Sequence, residues 1–434
     1  MAGKDDFDVV VIGGGPGGSA TAGLLAKQGH KVLLLEKEKF PRYHIGESLI
    51  TGSMPTLVAL DLRERLDKMG YVRKYGGSLL WGRNQGTWDF RFTEASEYEY
   101  TFQVRRADFD SVLLTRAREL GALVIEEATV QEALFDGDRA VGVRYQRKGD
   151  AEPTDAHCRL VVDATGQSHL LARKFDLIDY HDDLRNIAVW AYFQNCHRYG
   201  GTRWGDTLTE NRPNGWFWFI PLSDETVSIG YVTPVDEFKN SGMTPEELHA
   251  SQLAAADEVT SLAADATRVS GYRTIKDWSY TCKQFYGPGW ALVGDAAAFI
   301  DPLLSTGVGL TLRGALGLAE TADLALRNPE QEEELFARYE SNYRDFLGSL
   351  LEFVRFFYDR TKSKEDYWEA AQSNIDPSRL RPRKIDFARM LSGVSGMRDI
   401  FDGPLALRAF RDADAPDPAA EARPELDEPE ALAS

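Results

Sequence analysis

Glycines at positions 13, 15 and 18, in the spacing Gly-x-Gly-x-x-Gly, sit between the apolar run Phe7–Ile12 and an Ala- and Leu-rich segment. Glycine at these places permits a tight turn and a close backbone approach to a pyrophosphate, whose charge the N-terminus of the following helix attracts. Glu36 ends a second apolar run eighteen residues after Gly18, where a carboxylate can bind ribose hydroxyls. This is dinucleotide chemistry, and by itself it leaves FAD and NAD both open.

Three further groups carry chemical potential. Lys74 precedes Tyr-Gly-Gly; by its type alone it is an ordinary solvated lysine. Trp216 and Trp218, in Gly215-Trp-Phe-Trp-Phe-Ile-Pro221, fall on one face of a strand, as the rings of a half-buried strand would. Asp301-Pro-Leu-Leu-Ser-Thr-Gly307 leads into a long apolar-periodic segment, so Ser305 or Thr306 can cap a helix whose free amides and positive dipole end face an anion.

The elements that must position these groups follow from periodicity. Strand, turn, helix and strand are expected over Phe7–Ile12, Gly13–Gly18, Ser19–Gln28 and Lys31–Leu35. Alternation predicts strands over Leu79–Arg83, Trp88–Phe92 and Tyr98–Val104, then a helix over Asp108–Leu120 and strands over Ala122–Glu126 and Ala140–Gln146. A short buried strand, Leu160–Val162, enters Asp163-Ala-Thr-Gly166, and another, Trp290–Val293, enters Gly294-Asp295-Ala-Ala297. A strand-rich block between them comprises Ile187–Phe193, Gly215–Pro221 and Thr226–Val232, followed by a helix over Pro245–Leu262. Helical spacing returns over Thr306–Leu326 and Glu332–Trp368.

Composition excludes several classes. The 434 residues suffice for two or three domains, and a net charge of −18 repels phosphate backbones, so nucleic-acid binding is not expected. Three cysteines, Cys158, Cys196 and Cys282, lack metal-ligand spacing and fit a reduced cytoplasmic setting; no metal is expected. The run Val9–Ile12 follows acidic residues and breaks at glycines, unlike a signal peptide, and no stretch approaches the ~20 apolar residues of a membrane span. From Asp412 to Ser434 eight acidic residues face one Arg among Pro and Ala, a composition that cannot supply a core.

The Asp163–Gly166 and Gly294–Ala297 segments, in this order after the glycine turn, resemble motifs of flavoprotein monooxygenases with the glutathione-reductase type of fold. More specifically, Trp216-x-Trp218-x-Ile-Pro resembles the signature of flavin-dependent halogenases, and Phe40-Pro-Arg-Tyr-His-Ile-Gly-Glu-Ser-Leu49 is similar to a segment of the branch acting on phenols or carrier-bound aromatics. Arg73-Lys-Tyr-Gly-Gly77 stands where that family keeps its catalytic lysine.

The resemblance spans about Asp6 to Trp368 and implies a Rossmann-like α/β FAD-binding domain, an interleaved antiparallel-sheet substrate domain and a helical C-terminal segment. Its expected division is 1–77, 101–180 and 286–330 for FAD; 78–100 and 181–285 for the substrate side; 331–411 for the helical segment; and 412–434 for a disordered acidic tail. Implied cofactor contacts are Gly13, Gly15, Gly18, Glu36, Arg42, Glu47, Ser48, Arg106, Asp163, Gly166, Asp295, Pro302 and Gly307. Asp295 would hydrogen-bond the ribityl chain, and Thr306 and Gly307 would hold the halide. Lys74 would hold or deliver the electrophilic halogen, and Trp216 and Trp218 would part substrate from flavin. The implied reaction uses reduced FAD, O2 and chloride or bromide on an aromatic compound in natural-product biosynthesis, free or carrier-bound, with a separate flavin reductase as partner. Tryptophan halogenases carry Glu immediately before Ser-Thr-Gly; Leu304 stands there, which argues against an indole substrate. An aromatic hydroxylase or an isoprenoid-lipid reductase of related fold would share the FAD motifs and stay open as readings.

Overall fold

A computed structural model of the chain describes residues 7–83, 86–276, 279–375 and 383–392. The expected tail 412–434 lies outside the described residues, as does most of the helical segment beyond residue 375.

Two large sheets share the molecule. In the first, five parallel strands run in the order Trp290–Leu292, Thr154–Asp163, Phe7–Ile12, Val32–Leu35 and Leu123–Ile125. Val9 pairs with Val32 on one side and Leu160 on the other, and all three side chains are buried. Such continuous apolar strands suit a parallel sheet covered on both faces. Helix Pro16–Lys27 follows the glycine turn and packs against helix Gly307–Arg327, while Arg106–Glu119 packs beside it. Every residue from Pro16 to Leu25 is buried, so this helix belongs to the core rather than to a surface.

The second sheet is mostly antiparallel: Asn186–Gln194, Val227–Pro234, Gly215–Pro221, Thr207–Arg212, Gly76–Leu80 and Trp88–Arg91, with only Thr207–Arg212 and Gly76–Leu80 parallel. Its two faces bury different sets. Trp190, Trp216 and Trp218 join the main core, whereas Phe217, Phe219 and Tyr231 join a second cluster under helix Pro245–Ala254. A small two-stranded sheet, Val72–Lys74 with Thr101–Gln103, bridges the regions.

Helix Glu332–Phe357 buries Phe336, Tyr339, Tyr343, Leu347, Leu350, Val354 and Phe357 at three- and four-residue spacing and carries three glutamates in its first turn, where the helix dipole favours them. It stops at Phe357 rather than continuing to Trp368. A new helix, Lys364–Ile375, begins after Ser363, whose amide donates to Asp366 Oδ2 (2.7 Å) while Asp366 N donates to Ser363 Oγ (3.4 Å). That reciprocal cap is a start signal embedded in an apolar-periodic run. Likewise the expected Pro245–Leu262 helix is two, Pro245–Ala254 and Glu258–Leu262. The short strand expected at Leu160–Val162 runs from Thr154 to Asp163, its polar first half pairing with Arg139–Arg147 outside the parallel sheet. No helix among the described residues is long and apolar enough to cross a membrane.

Candidate active site

A cavity of about 660 Å³ opens between the two sheets, at the carboxyl ends of the parallel strands. Gly13, Gly15, Glu36, Arg42, Glu47, Ser48, Arg106, Gly166, Trp216, Trp218, Asp295, Pro302 and Gly307 all line it. Gly18, Lys74, Asp163 and Thr306 stand behind the wall.

The glycine turn separates two requirements. Gly13 has φ +102°, and a Cβ there would meet Ala164 O at 2.5 Å; one on Gly18 would meet Gly13 O at 1.9 Å. These glycines let the turn and helix close. A Cβ on Gly15 meets only Arg42 Nη2, at 3.5 Å, so this position keeps space for a bound group. Glu36 is buried and ties the turn directly: Oε2 accepts from Gly14 N (2.6 Å) and Oε1 from Glu38 N (2.8 Å). Asp163 does similar work, accepting from Thr165 N (2.9 Å), Thr165 Oγ1 (2.7 Å) and Leu171 N (2.7 Å), which leaves Thr165 and Gly166 on the wall in its place.

Two arginines are held by one buried carboxylate. Arg106 grips Asp110 through Nε (2.7 Å) and Nη2 (3.0 Å), and its Nη1 donates to Ile45 O (2.6 Å). Arg42 Nη1 donates to the same Asp110 (3.0 Å). Across the cavity, Asp295 follows Gly294 at φ +62°, and among the described residues its carboxylate receives one long bond, from Thr311 Oγ1 (3.4 Å). Burial pushes its carboxyl up to about 6, Arg106 partly opposing. An under-bonded carboxylate facing a cavity suits the hydroxyls of a sugar chain.

The tryptophan strand forms the opposite wall. Trp216 Nε1 donates to Tyr358 Oη (3.0 Å), which in turn bonds the Asp301 carboxylate (3.1 and 3.2 Å). Trp218 Nε1 donates to Ser228 Oγ (3.1 Å), and its ring fills the space over Gly230, where a Cβ would lie 2.2 Å from it. Helix Gly307–Arg327 begins beside this wall with Thr306 at its N-cap; neither Thr306 nor Ser305 supplies the expected side-chain cap. Ser305 instead takes φ +57° to turn the chain into the helix.

Lys74 is 3% exposed, at the end of strand Val72–Lys74. Its Nζ donates to Ser48 Oγ (2.8 Å) and Leu49 O (3.1 Å), and Ser48 Oγ lies 2.9 Å from Thr207 Oγ1. Ser48 and Thr207 line the cavity, so the amine meets it through a hydroxyl. Burial pushes the Lys74 ammonium down to about 7, with Asp206 the opposing charge.

Comparison with known proteins now decides the family. The tryptophan halogenase family matches residues 93–403, and an FAD-dependent oxidoreductase family matches residues 8–174. A tryptophan 2-halogenase of Chondromyces crocatus is 33% identical over 404 residues, 90% of this chain and 76% of that protein. The 1H-pyrrole-2-carbonyl-[peptidyl-carrier protein] chlorinase of Pseudomonas fluorescens is 30% identical, covering 91% and 93%. The solved myxobacterial chondrochloren halogenase superposes with a TM-score of 0.79 at 33% identity, over 92% of this chain and 98% of that one. The chain belongs to the tryptophan halogenase family.

This FAD-dependent halogenase uses reduced FAD, O2 and halide, and family membership sets the hydroxylase and reductase readings aside. The cavity fits the cofactor on the chain's own terms: open space over Gly15, paired arginines beside it and a weakly bonded carboxylate at Asp295. Asp110 and Thr207 escape the sequence reading, as do the bonds of Tyr358 to Trp216 and Asp301. Only Asp110 leaves a trace there, as an Asp four residues after Arg106 on a helix.

Proposed function

We propose that this halogenase chlorinates an electron-rich, phenolic aromatic, free or tethered to a carrier protein, in cytoplasmic natural-product biosynthesis, with a separate reductase supplying reduced flavin. The observation that carries the reading is Lys74, an amine buried behind Ser48 and Thr207 on the wall that also holds Trp216 and Trp218. Leu304, buried at the place of a carboxylate in tryptophan-specific relatives, supports a ring that needs no such base: a phenol carries its own activating oxygen. The pyrrole-carrier chlorinase among the relatives supports the carrier-bound form. Chloride is proposed for its abundance.

In this reading segments 1–77, 101–180 and 286–330 hold the cofactor, and 78–100 with 181–285 cover the substrate. Gly15, Glu36, Arg42, Arg106, Asp295 and Gly307 contact FAD, Glu36 through the ribose hydroxyls, while Gly13, Gly18 and Asp163 shape the turns that present it. Bound FAD, once reduced, supplies the electrons that convert O2 and halide to hypohalous acid. The amides at Gly307, next to Thr306, hold the halide at a positive helix end. The rings of Trp216 and Trp218 keep the aromatic substrate away from the flavin. Near neutral pH Lys74 exchanges between ammonium, which donates a hydrogen bond to the hypohalous oxygen by way of Ser48, and free amine, which takes the halogen and releases water.

The test is a substrate panel with reduced FAD, O2 and chloride or bromide, read by mass spectrometry. A phenol or a carrier-bound phenol should gain one chlorine. Halogenation of free tryptophan alone overturns the substrate assignment.

A further inference from the structure

Halogenation by this route consumes a proton. Reduced flavin, O2, a halide anion and an aromatic C–H yield oxidised flavin, an aryl halide and two waters only if one proton is also taken up. The halide enters negatively charged and leaves inside a neutral product. Each turnover therefore requires a proton carried from solvent to a cavity whose lining includes Trp216, Trp218, Ile220 and Phe299.

A hydrogen-bonded chain joins the cavity lining to an exposed tyrosine. Glu47, 4% exposed and lining the cavity, accepts from Tyr192 Oη at 2.6 Å through Oε1. Its Oε2 has no hydrogen-bond partner among the described residues. Tyr192 Oη lies 2.9 Å from Tyr43 Oη, which Trp190 Nε1 fixes from the other side at 2.9 Å. Tyr43 also lines the cavity, but at 41% exposed it is the end of the chain that water reaches, with the Arg273 guanidinium 3.8 Å over its ring. A phenol carries one proton, so Tyr192 donates to Glu47 when Glu47 is ionised and accepts from Tyr43 at the same moment.

The electrostatics suit a proton carrier. Burial pushes the Glu47 carboxyl up to about 7, although Tyr192, Ser228, Arg106 and Arg105 all favour its charged form. Burial also raises both tyrosines above the usual phenol range, so they pass protons while staying neutral.

We propose that Glu47, Tyr192 and Tyr43 form the relay that brings this proton into the cavity. Protonated Glu47 gives its proton to an oxygen leaving as hydroxide, which departs as water. The carboxylate then takes the Tyr192 proton, Tyr192 takes that of Tyr43, and Tyr43 takes one from bulk water; no electrons move. The relay needs only the halogenase stoichiometry and holds for any aromatic substrate.

Two measurements test it. Infrared difference spectra of the enzyme without substrate, across pH 5 to 9, should show a carboxylic acid titrating near pH 7 that is missing in Glu47→Gln; an Asp295→Asn background removes the second acid, which titrates near 6. Hypohalous acid, trapped by a thioether so that neither Lys74 nor substrate matters, should fall more than tenfold above pH 7 in Tyr192→Phe. It should recover when imidazole buffer is raised at constant ionic strength, with FAD binding unchanged throughout. A Tyr192→Phe enzyme with the wild-type pH profile and no response to imidazole overturns the relay. So does a Glu47→Gln protein that keeps the titrating acid.

Discussion

Lys74 is an amine that folding moves into a site where its charge is disfavoured, and two consequences follow at this one residue. If it carries the halogen, Lys74→Ala abolishes product halogenation while FAD binding and trapped hypohalous acid persist. The loss is on the order of several kcal/mol, because a chemical participant is removed. Lys74→Arg fails too, since a permanently protonated guanidinium is a poor nucleophile. Product yield and flavin turnover measured in one sample decide the matter. The second consequence is thermodynamic. Between about 7 in the fold and the ordinary lysine range, the unfolded chain holds a proton that the folded chain has released. Stability from this group therefore rises with pH across that window. Lys74→Met should flatten that rise, with its greatest relative gain near pH 7, as urea midpoints at pH 7, 8.5 and 10 would show. Sequence placed the lysine beside Tyr-Gly-Gly but not its neighbours. Ser48 is 26 residues away and Thr207 lies 159 residues beyond Ser48, so only the folded sheets bring the three together.

Elements were legible wherever a local pattern dominated. The tryptophan strand was read as Gly215–Pro221, the span it occupies, because alternation and bulky rings agree over all seven residues. The glycine turn and its flanking strands were equally plain. Strand Thr207–Arg212 was missed: only Thr207, Leu208 and Thr209 favour a strand, Glu210, Asn211 and Arg212 do not, and pairing with Gly76–Leu80 and Gly215–Pro221 selects that conformation. Long helices were overextended because apolar spacing continues through the breaks at Ala255–Asp257 and Tyr358–Ser363. The glycine turn gives a contrast within one element. Gly15→Val should fold with wild-type circular dichroism yet purify colourless, since its side chain occupies space held for the cofactor. Gly18→Ala should instead lose cooperative folding or several degrees of melting temperature, its Cβ meeting a backbone oxygen at 1.9 Å. Stoichiometric yellow flavin on Gly15→Val refutes the placement.

Over the whole molecule, the cavity lies between two sheets drawn from interleaved stretches of chain, so a ligand there ties the sheets together. FAD at a hundredfold excess over its dissociation constant should add about 2.7 kcal/mol to stability. A single upward shift of the melting transition is expected on adding FAD to the apoprotein, and Asp295→Ala should shrink it without altering the ligand-free melt by more than a degree or two. The α/β class was legible because two compact apolar strands bracket a glycine turn. The layering of the second sheet was not. Its inner and outer clusters are told apart only by which face of Gly215–Pro221 each ring takes.

The Tyr358 hydroxyl joins three distant parts of the chain: Trp216 on the wall, Asp301 before helix Gly307–Arg327, and Asn186 at the start of its own strand. For laboratory evolution this makes positions 186, 301 and 358 a single unit of variation. A library that randomises one of them re-aims the Trp216 indole by breaking the others' bonds, whereas one that varies all three can reshape this cavity wall without altering a residue on it.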